Sequence, residues 1–154
     1  MLSPSQIDFY VENGYVVPDF RIAPEVIDAI KADHERLLTR HPEFSDYCGA
    51  LFISDLAFLN YARHPEILDM VEQLIGPNIA IRNSSLFAKP AKVGTRTPWH
   101  QDGQYWPIEP LATCSVWIAL DDATTRNGCL RFLPGSHKQR QLASHHFNDG
   151  PGLS

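Results

Sequence analysis

The pentad Trp99-His100-Gln101-Asp102-Gly103 sets an imidazole and a carboxylate two residues apart. On extended backbone, side chains i and i+2 point to the same side, roughly 6.6 Å apart along the strand. His100 and Asp102 then need only lean together to share one metal ion. Such a pair is two thirds of the 2-His-1-carboxylate set that binds Fe(II) on one face and leaves the other coordination positions open. The chain ends at Ser154 with no obvious third ligand.

Spacing alone is weak. With 7 His and 18 Asp plus Glu in 154 residues, random order gives roughly one His-x-carboxylate triplet, and the chain has three. In His41-Pro42-Glu43 and His64-Pro65-Glu66 the central proline marks a helix start, where the two side chains are expected to diverge. His100 and Asp102 sit instead in an extended, aromatic setting. Pro98 and Pro107 disfavour helix on either side, and Trp99, Tyr105 and Trp106 favour strand. On spacing by itself a surface His beside an Asp is the better reading of this triplet, so the wider chain has to decide.

The elements that would hold the pentad are legible from caps and periodicity. Ser3, Pro4 and Gln6 make a capping box with proline at the first helical position, and Leu2 and Ile7 can form the hydrophobic staple. That helix should stop at Asn13-Gly14, ahead of a short strand Tyr15-Val16-Val17 closed by Pro18. A second helix is predicted from Pro24, with Val26, Ile27, Ile30, His34, Leu37 and Leu38 at helical spacing. His34 thereby reads as a helix-face residue. Residues 43–62 read as a packed loop with one helical turn. Pro65 opens a third helix with the stripe Ile67, Leu68, Val71, Leu74 and Ile75, and Gly76 stops it.

After Gly76 the period becomes two. Residues 79–89 read as a long strand with Asn83, Ser85 and Phe87 on one face and Ser84, Leu86 and Ala88 on the other. The pentad strand follows a loop spanning residues 90–98. Residues 113–120 alternate, with Cys114, Val116, Ile118 and Leu120 opposite Thr113, Ser115, Trp117 and Ala119. Asn127-Gly128 signals a hairpin before a strand at 129–133. The expected fold is α+β: N-terminal helices over residues 1–76, then over 77–154 the first part of a β domain of jelly-roll type. The whole reads as a single domain, incomplete because a jelly roll needs more strands than are visible.

A 44% hydrophobic and 20% charged composition is ordinary for a globular chain, with no apolar run long enough to span a membrane and no secretion signal. A net charge of −5 argues against nucleic acid. Cys48, Cys114 and Cys129 lack metal-knuckle spacing and read as reduced, packed thiols in a cytoplasmic protein.

Four separate blocks carry a specific resemblance. The segments Ser84 to Pro90, Pro98 to Trp106, Val116 to Asp121, and Asn127-Gly128-Cys129-Leu130 leading to Pro134-Gly135-Ser136-His137 resemble the phytanoyl-CoA dioxygenase family of Fe(II)- and 2-oxoglutarate-dependent oxygenases. Residues 3–10 and 13–17 also look like that family. The resemblance implies a double-stranded β-helix, a cupin-like jelly roll, with His100 and Asp102 as iron ligands. It implies Fe(II) as cofactor, 2-oxoglutarate and O2 as cosubstrates, and hydroxylation of an unactivated C–H bond of a small organic substrate. Ser85, Gln101 and Trp117 are similar to positions that approach 2-oxoglutarate. Ser85 and Trp117 read almost equally well as a polar strand residue and a core indole. Trp99, Tyr105 and Trp106 fit either the walls of an apolar pocket or barrel core. Asp102, where related halogenases place a small residue, favours hydroxylation.

The family's second His ligand and its 2-oxoglutarate-binding Arg have no match here. His145 and His146 lie too soon after Asp102 and outside a strand, and His137 reads as structural or surface. C-terminal truncation is the expected reason, leaving a fragment whose activity is in question. Two rivals stand beside the oxygenase: a non-catalytic jelly-roll binding module or degenerate remnant, and a cupin-like metalloprotein with other chemistry.

Overall fold

Helix α1 (Pro4–Asn13) starts as its sequence dictates. The Ser3 hydroxyl accepts from the Gln6 N–H at 3.2 Å while the Gln6 side-chain carbonyl accepts from the Ser3 N–H at 2.9 Å. Two donors that a bare helix end would leave orphaned are thereby satisfied. The helix ends where Gly14 turns left-handed at φ +83° and its N–H reaches the Tyr10 carbonyl at 2.7 Å. Residues 1–110, 112–139 and 142–145 are described in this computed structural model. His146 and the Gly150-to-Ser154 end, which bear on the missing ligand and on truncation, lie outside the described residues.

Helix α2 (Pro24–Arg40) is followed by a short 3-10 turn at Pro42–Ser45, then strand β1 (Tyr47–Cys48), helices α3 (Leu51–Ser54) and α4 (Ala57–Ala62), and helix α5 (Pro65–Ile75). Segment 43–62, expected to be mostly loop, therefore carries two short helices. The helices divide their apolar faces between two clusters. Ile30 and Leu37 of α2 meet Cys48, Leu51, Phe58 and Leu86, with Val26, Phe44 and Leu120 against them. Leu37 has no exposed surface, which contributes about 2 kcal/mol of transfer free energy. The second cluster joins Leu2 to Ile67, Met70 and Val71 of α5, and Ile7, Cys114 and Ile118 pack on it. Leu2 and Ile7 thus share one cluster, as a staple requires. Gln73 fixes Leu2 further, its amide oxygen accepting from the Leu2 N–H at 2.7 Å and its amide nitrogen donating to the Leu2 carbonyl at 3.1 Å.

The β half departs most from expectation. Among the described residues the sheet consists of β1 and β2 (Leu86–Phe87), antiparallel, with Tyr47 opposite Phe87 and Cys48 opposite Leu86. The long strand expected over 79–89 shrinks to β2 because β1 is two residues long, bounded by the 3-10 turn before it and α3 after it; a strand extends only as far as its partner. Its alternation holds, since Leu86 is buried and Phe87 is exposed against the Tyr47 ring at 4.8 Å.

Residues 113–120 and 129–133 form no strand. Among the described residues no backbone hydrogen bond joins 113–120 to another segment. Apolar alternation supplies a buried side for Cys114, Ile118 and Leu120, but a ladder needs a neighbouring chain segment, which alternation alone does not provide. Val116 on that same side stays half exposed. Tyr15–Val17 is not a strand either. Asn127-Gly128 makes its turn, with Gly128 at φ +88° and the Cys129 N–H on the Thr124 carbonyl at 3.0 Å, yet the flanks do not pair as a hairpin. The expected jelly roll is thus not present among the described residues. No helix among them is long and apolar enough to cross a membrane. Cys48, Cys114 and Cys129 are free thiols, Cys48 buried as a small hydrophobe in the first cluster.

Candidate metal centre

The pentad is half strand-like. Gln101 is extended at φ −118°, ψ 123°, and Asp102 opens a 3-10 turn, Asp102–Tyr105. This corrects the expected continuous strand, and one extended residue at the centre suffices to set the two side chains on the same side. His100 Nε2 lies 3.3 Å from Asp102 Oδ1, with His100 34% and Asp102 47% exposed at the side chain.

The surroundings of the pair fix which of its atoms face each other. His100 Nδ1 is 2.8 Å from the Pro98 carbonyl. A carbonyl only accepts, so Nδ1 carries a proton and donates it to Pro98, and Nε2 is the ring nitrogen turned toward Asp102. The carboxylate's other oxygen, Oδ2, accepts from the Ser115 hydroxyl at 3.0 Å. Two acceptor atoms 3.3 Å apart repel unless a positive charge serves both, either a second imidazole proton or a cation. A nitrogen and a carboxylate oxygen, each backed by an outer hydrogen bond, are the donor set that Fe(II) or Zn(II) accepts. Among the described residues no three His, Cys, Asp or Glu side chains converge, so there His100 and Asp102 stand as a pair of candidate ligands.

The proline-centred triplets do not diverge as expected. His41 Nδ1 is 3.1 Å from Glu43 Oε1, and His64 Nδ1 is 3.1 Å from Glu66 Oε2. Proline at the first helical turn leaves the glutamate close enough to fold back over the capping histidine. Those pairs engage Nδ1, whereas His100 commits Nδ1 to backbone and offers Nε2.

The other expected site residues are scattered. Gln101 adjoins the pair, but its side-chain oxygen accepts from the Ala143 N–H at 2.8 Å and its own N–H donates to His145 Nε2 at 2.9 Å. His145 is brought beside the pentad with that nitrogen already engaged. The Tyr105 ring stands between the two imidazoles, 6.1 Å from each centroid. Ser85 Oγ lies 3.4 Å from the Tyr47 hydroxyl, and Trp117 is 50% exposed. Among the described residues no hydrogen bond joins either to the pair. Trp99 and Tyr105 are exposed and Trp106 half-buried, and none enters a core cluster. Arg131 covers Trp99 at 5.5 Å and Arg82 covers Trp106 at 5.3 Å. Clefts lined by Leu68, Glu72 and Ile79, and by Ser5, Phe9 and Tyr15, lie away from the pentad.

Ser115 is the site residue that sequence reasoning passed over. Its signal was present: it shares the polar side of the 113–120 alternation with Thr113 and Trp117. His137, read as structural or surface, is exposed and ties two segments together, its Nε2 lying 2.9 Å from the Val11 carbonyl.

The family model described as phytanoyl-CoA dioxygenase matches residues 10–152. The chain is 37% identical to the human protein named "Phytanoyl-CoA dioxygenase, peroxisomal", over 90% of this chain and 48% of that protein. The mouse protein of the same name is 32% identical over the same shares, and a Caenorhabditis elegans "Probable phytanoyl-CoA dioxygenase" is 30% identical over 90% of this chain and 54% of its own length. The chain thus spans about half the length of these curated relatives. No solved structure matches it.

Proposed function

Since this chain belongs to the phytanoyl-CoA dioxygenase family, we propose that it provides part of the active site of an Fe(II)- and 2-oxoglutarate-dependent dioxygenase that hydroxylates an unactivated C–H bond of a small organic molecule. One observation carries the reading: His100 Nε2 and Asp102 Oδ1 lie 3.3 Å apart, with each residue's other polar atom held by an outer hydrogen bond. His100 would bind the metal through Nε2 and Asp102 through Oδ1. When bound, Fe(II) supplies oxidative decarboxylation of 2-oxoglutarate by O2, yielding succinate and CO2 and placing the second oxygen atom on the substrate carbon.

The chain's other residues position and shield. The Pro98 carbonyl keeps His100 in the tautomer that leaves Nε2 free. Gln101 secures Ala143 and His145 beside the pentad, Trp99, Tyr105 and Trp106 offer apolar surface around it, and Ser85 and Trp117 are proposed as neighbours of 2-oxoglutarate. A carboxylate at position 102 favours hydroxylation over halide transfer. The cytoplasmic placement expected from sequence stays within this proposal, while the mammalian relatives are themselves named peroxisomal.

A second reading, a binding module without redox chemistry, draws on the two-ligand donor set among the described residues. Succinate released from 2-oxoglutarate under O2 with added Fe(II), in wild type and His100→Ala, separates the two. The dioxygenase reading expects turnover in wild type and a loss of at least a hundredfold in the variant. No turnover in either protein removes it for this chain.

A further inference from the structure

The geometry points to Ser115 as a positioning residue for Asp102: its hydroxyl selects which carboxylate oxygen faces the metal. The terminal torsion of an aspartate is broad and roughly two-fold, so an unrestrained carboxylate presents either oxygen, or both, with little preference. Here Ser115 Oγ donates to Oδ2 at 3.0 Å, which turns Oδ1 to His100 Nε2 at 3.3 Å. The hydroxyl arrives from residues 113–120, an element separate from the pentad, and Cys114 and Ile118 on either side of Ser115 anchor that element in the second core cluster. The anchor passes the rigidity of the core to an exposed carboxylate. His100 is restrained independently by the Pro98 carbonyl, so each ligand has its own outer partner, and Asp102 binds through one oxygen.

This inference rests on the metal-site reading, and the test separates the two. Co(II) alone is titrated calorimetrically into wild type, His100→Ala, Ser115→Ala and Ser115→Thr, with the melting temperature of each metal-free protein measured alongside. Loss of an outer hydrogen bond to a ligand typically weakens metal affinity 10- to 100-fold. The expected result is that wild type binds Co(II) in a His100-dependent way, Ser115→Ala raises the Kd by about tenfold or more, and Ser115→Thr, which keeps the hydroxyl, restores it. Metal-free melting temperatures should not differ, because Ser115 is exposed. Wild-type affinity in Ser115→Ala overturns the positioning role and leaves the metal site standing. Weakening that threonine does not rescue, accompanied by a lower metal-free melting temperature, also overturns it in favour of a structural role. Equal binding by wild type and His100→Ala overturns the metal-site reading beneath it.

Discussion

Distance does not distinguish the three His-x-carboxylate triplets of this chain. His41–Glu43 and His64–Glu66, at 3.1 Å, are closer than His100–Asp102 at 3.3 Å. What separates them is which nitrogen faces the carboxylate and what holds the other, and both depend on partners outside the triplet. The juxtaposition of His100 and Asp102 was legible in sequence, whereas the outer partner Ser115 comes from a segment thirteen residues away that no local pattern ties to Asp102. Residue-scale packing also sets a pH dependence. Burial of the Tyr10 phenol, with Cys114 beside it, pushes its pKa from 10.0 up to about 12. The folded state favours the neutral phenol, so this stabilisation is complete below pH 10 and is lost as pH rises from there towards 12. Urea melts should show stability falling over that range, and Tyr10→Phe should remove most of the fall. The part that remains belongs to Cys114, whose thiol burial also raises above its ordinary value of 9.0. An unchanged alkaline slope in Tyr10→Phe would refute the assignment.

At the scale of elements, the end of α1 is held by a segment more than 120 residues away. The Gly135 N–H donates to the Asn13 carbonyl at 3.0 Å, His137 Nε2 meets the Val11 carbonyl at 2.9 Å, and Lys138 pairs with Glu12 at 2.5 Å. Tyr15 stacks on Phe132 at 4.7 Å. Gly14 is needed twice here: its φ is +83°, and a Cβ would sit 2.5 Å from His137 Nδ1. Gly14→Ala should therefore cost about 1–2 kcal/mol for the left-handed backbone and roughly another 1 kcal/mol as His137 is displaced from its carbonyl. In a His137→Ala background only the backbone part should remain. Additive losses across that double-mutant cycle would contradict the contact. Helix boundaries were readable because caps, N-terminal prolines and terminal glycines act within one turn. Helix α4 escaped because Leu56 before it provides no side-chain cap. The strands expected at 113–120 and 129–133 were misjudged because pairing is decided by a neighbour absent from the local pattern.

For the whole molecule, two cores built mainly from helices in residues 1–76 carry an extended C-terminal half that packs Cys114, Ile118 and Leu120 against them. That half brings Ser115 to Asp102 and Ala143 to Gln101. Segments 113–120 and 142–145 therefore reach the pentad, whereas Ser85 and Trp117 of the resemblance blocks make no hydrogen bond to the pair among the described residues, and the fold around it is less sheet-like than the resemblance implies. Lys31 of α2, paired with Asp121 at 2.7 Å, adds a further tie between the halves. The central claim is that His100 and Asp102 together hold one metal ion. Anaerobic equilibrium dialysis against Fe(II), with wild type, His100→Ala and Asp102→Ala in parallel, tests it most directly. The account predicts saturation at one Fe(II) per chain in wild type and a loss of affinity of at least tenfold in each variant. Equal Fe(II) uptake by all three proteins would contradict it.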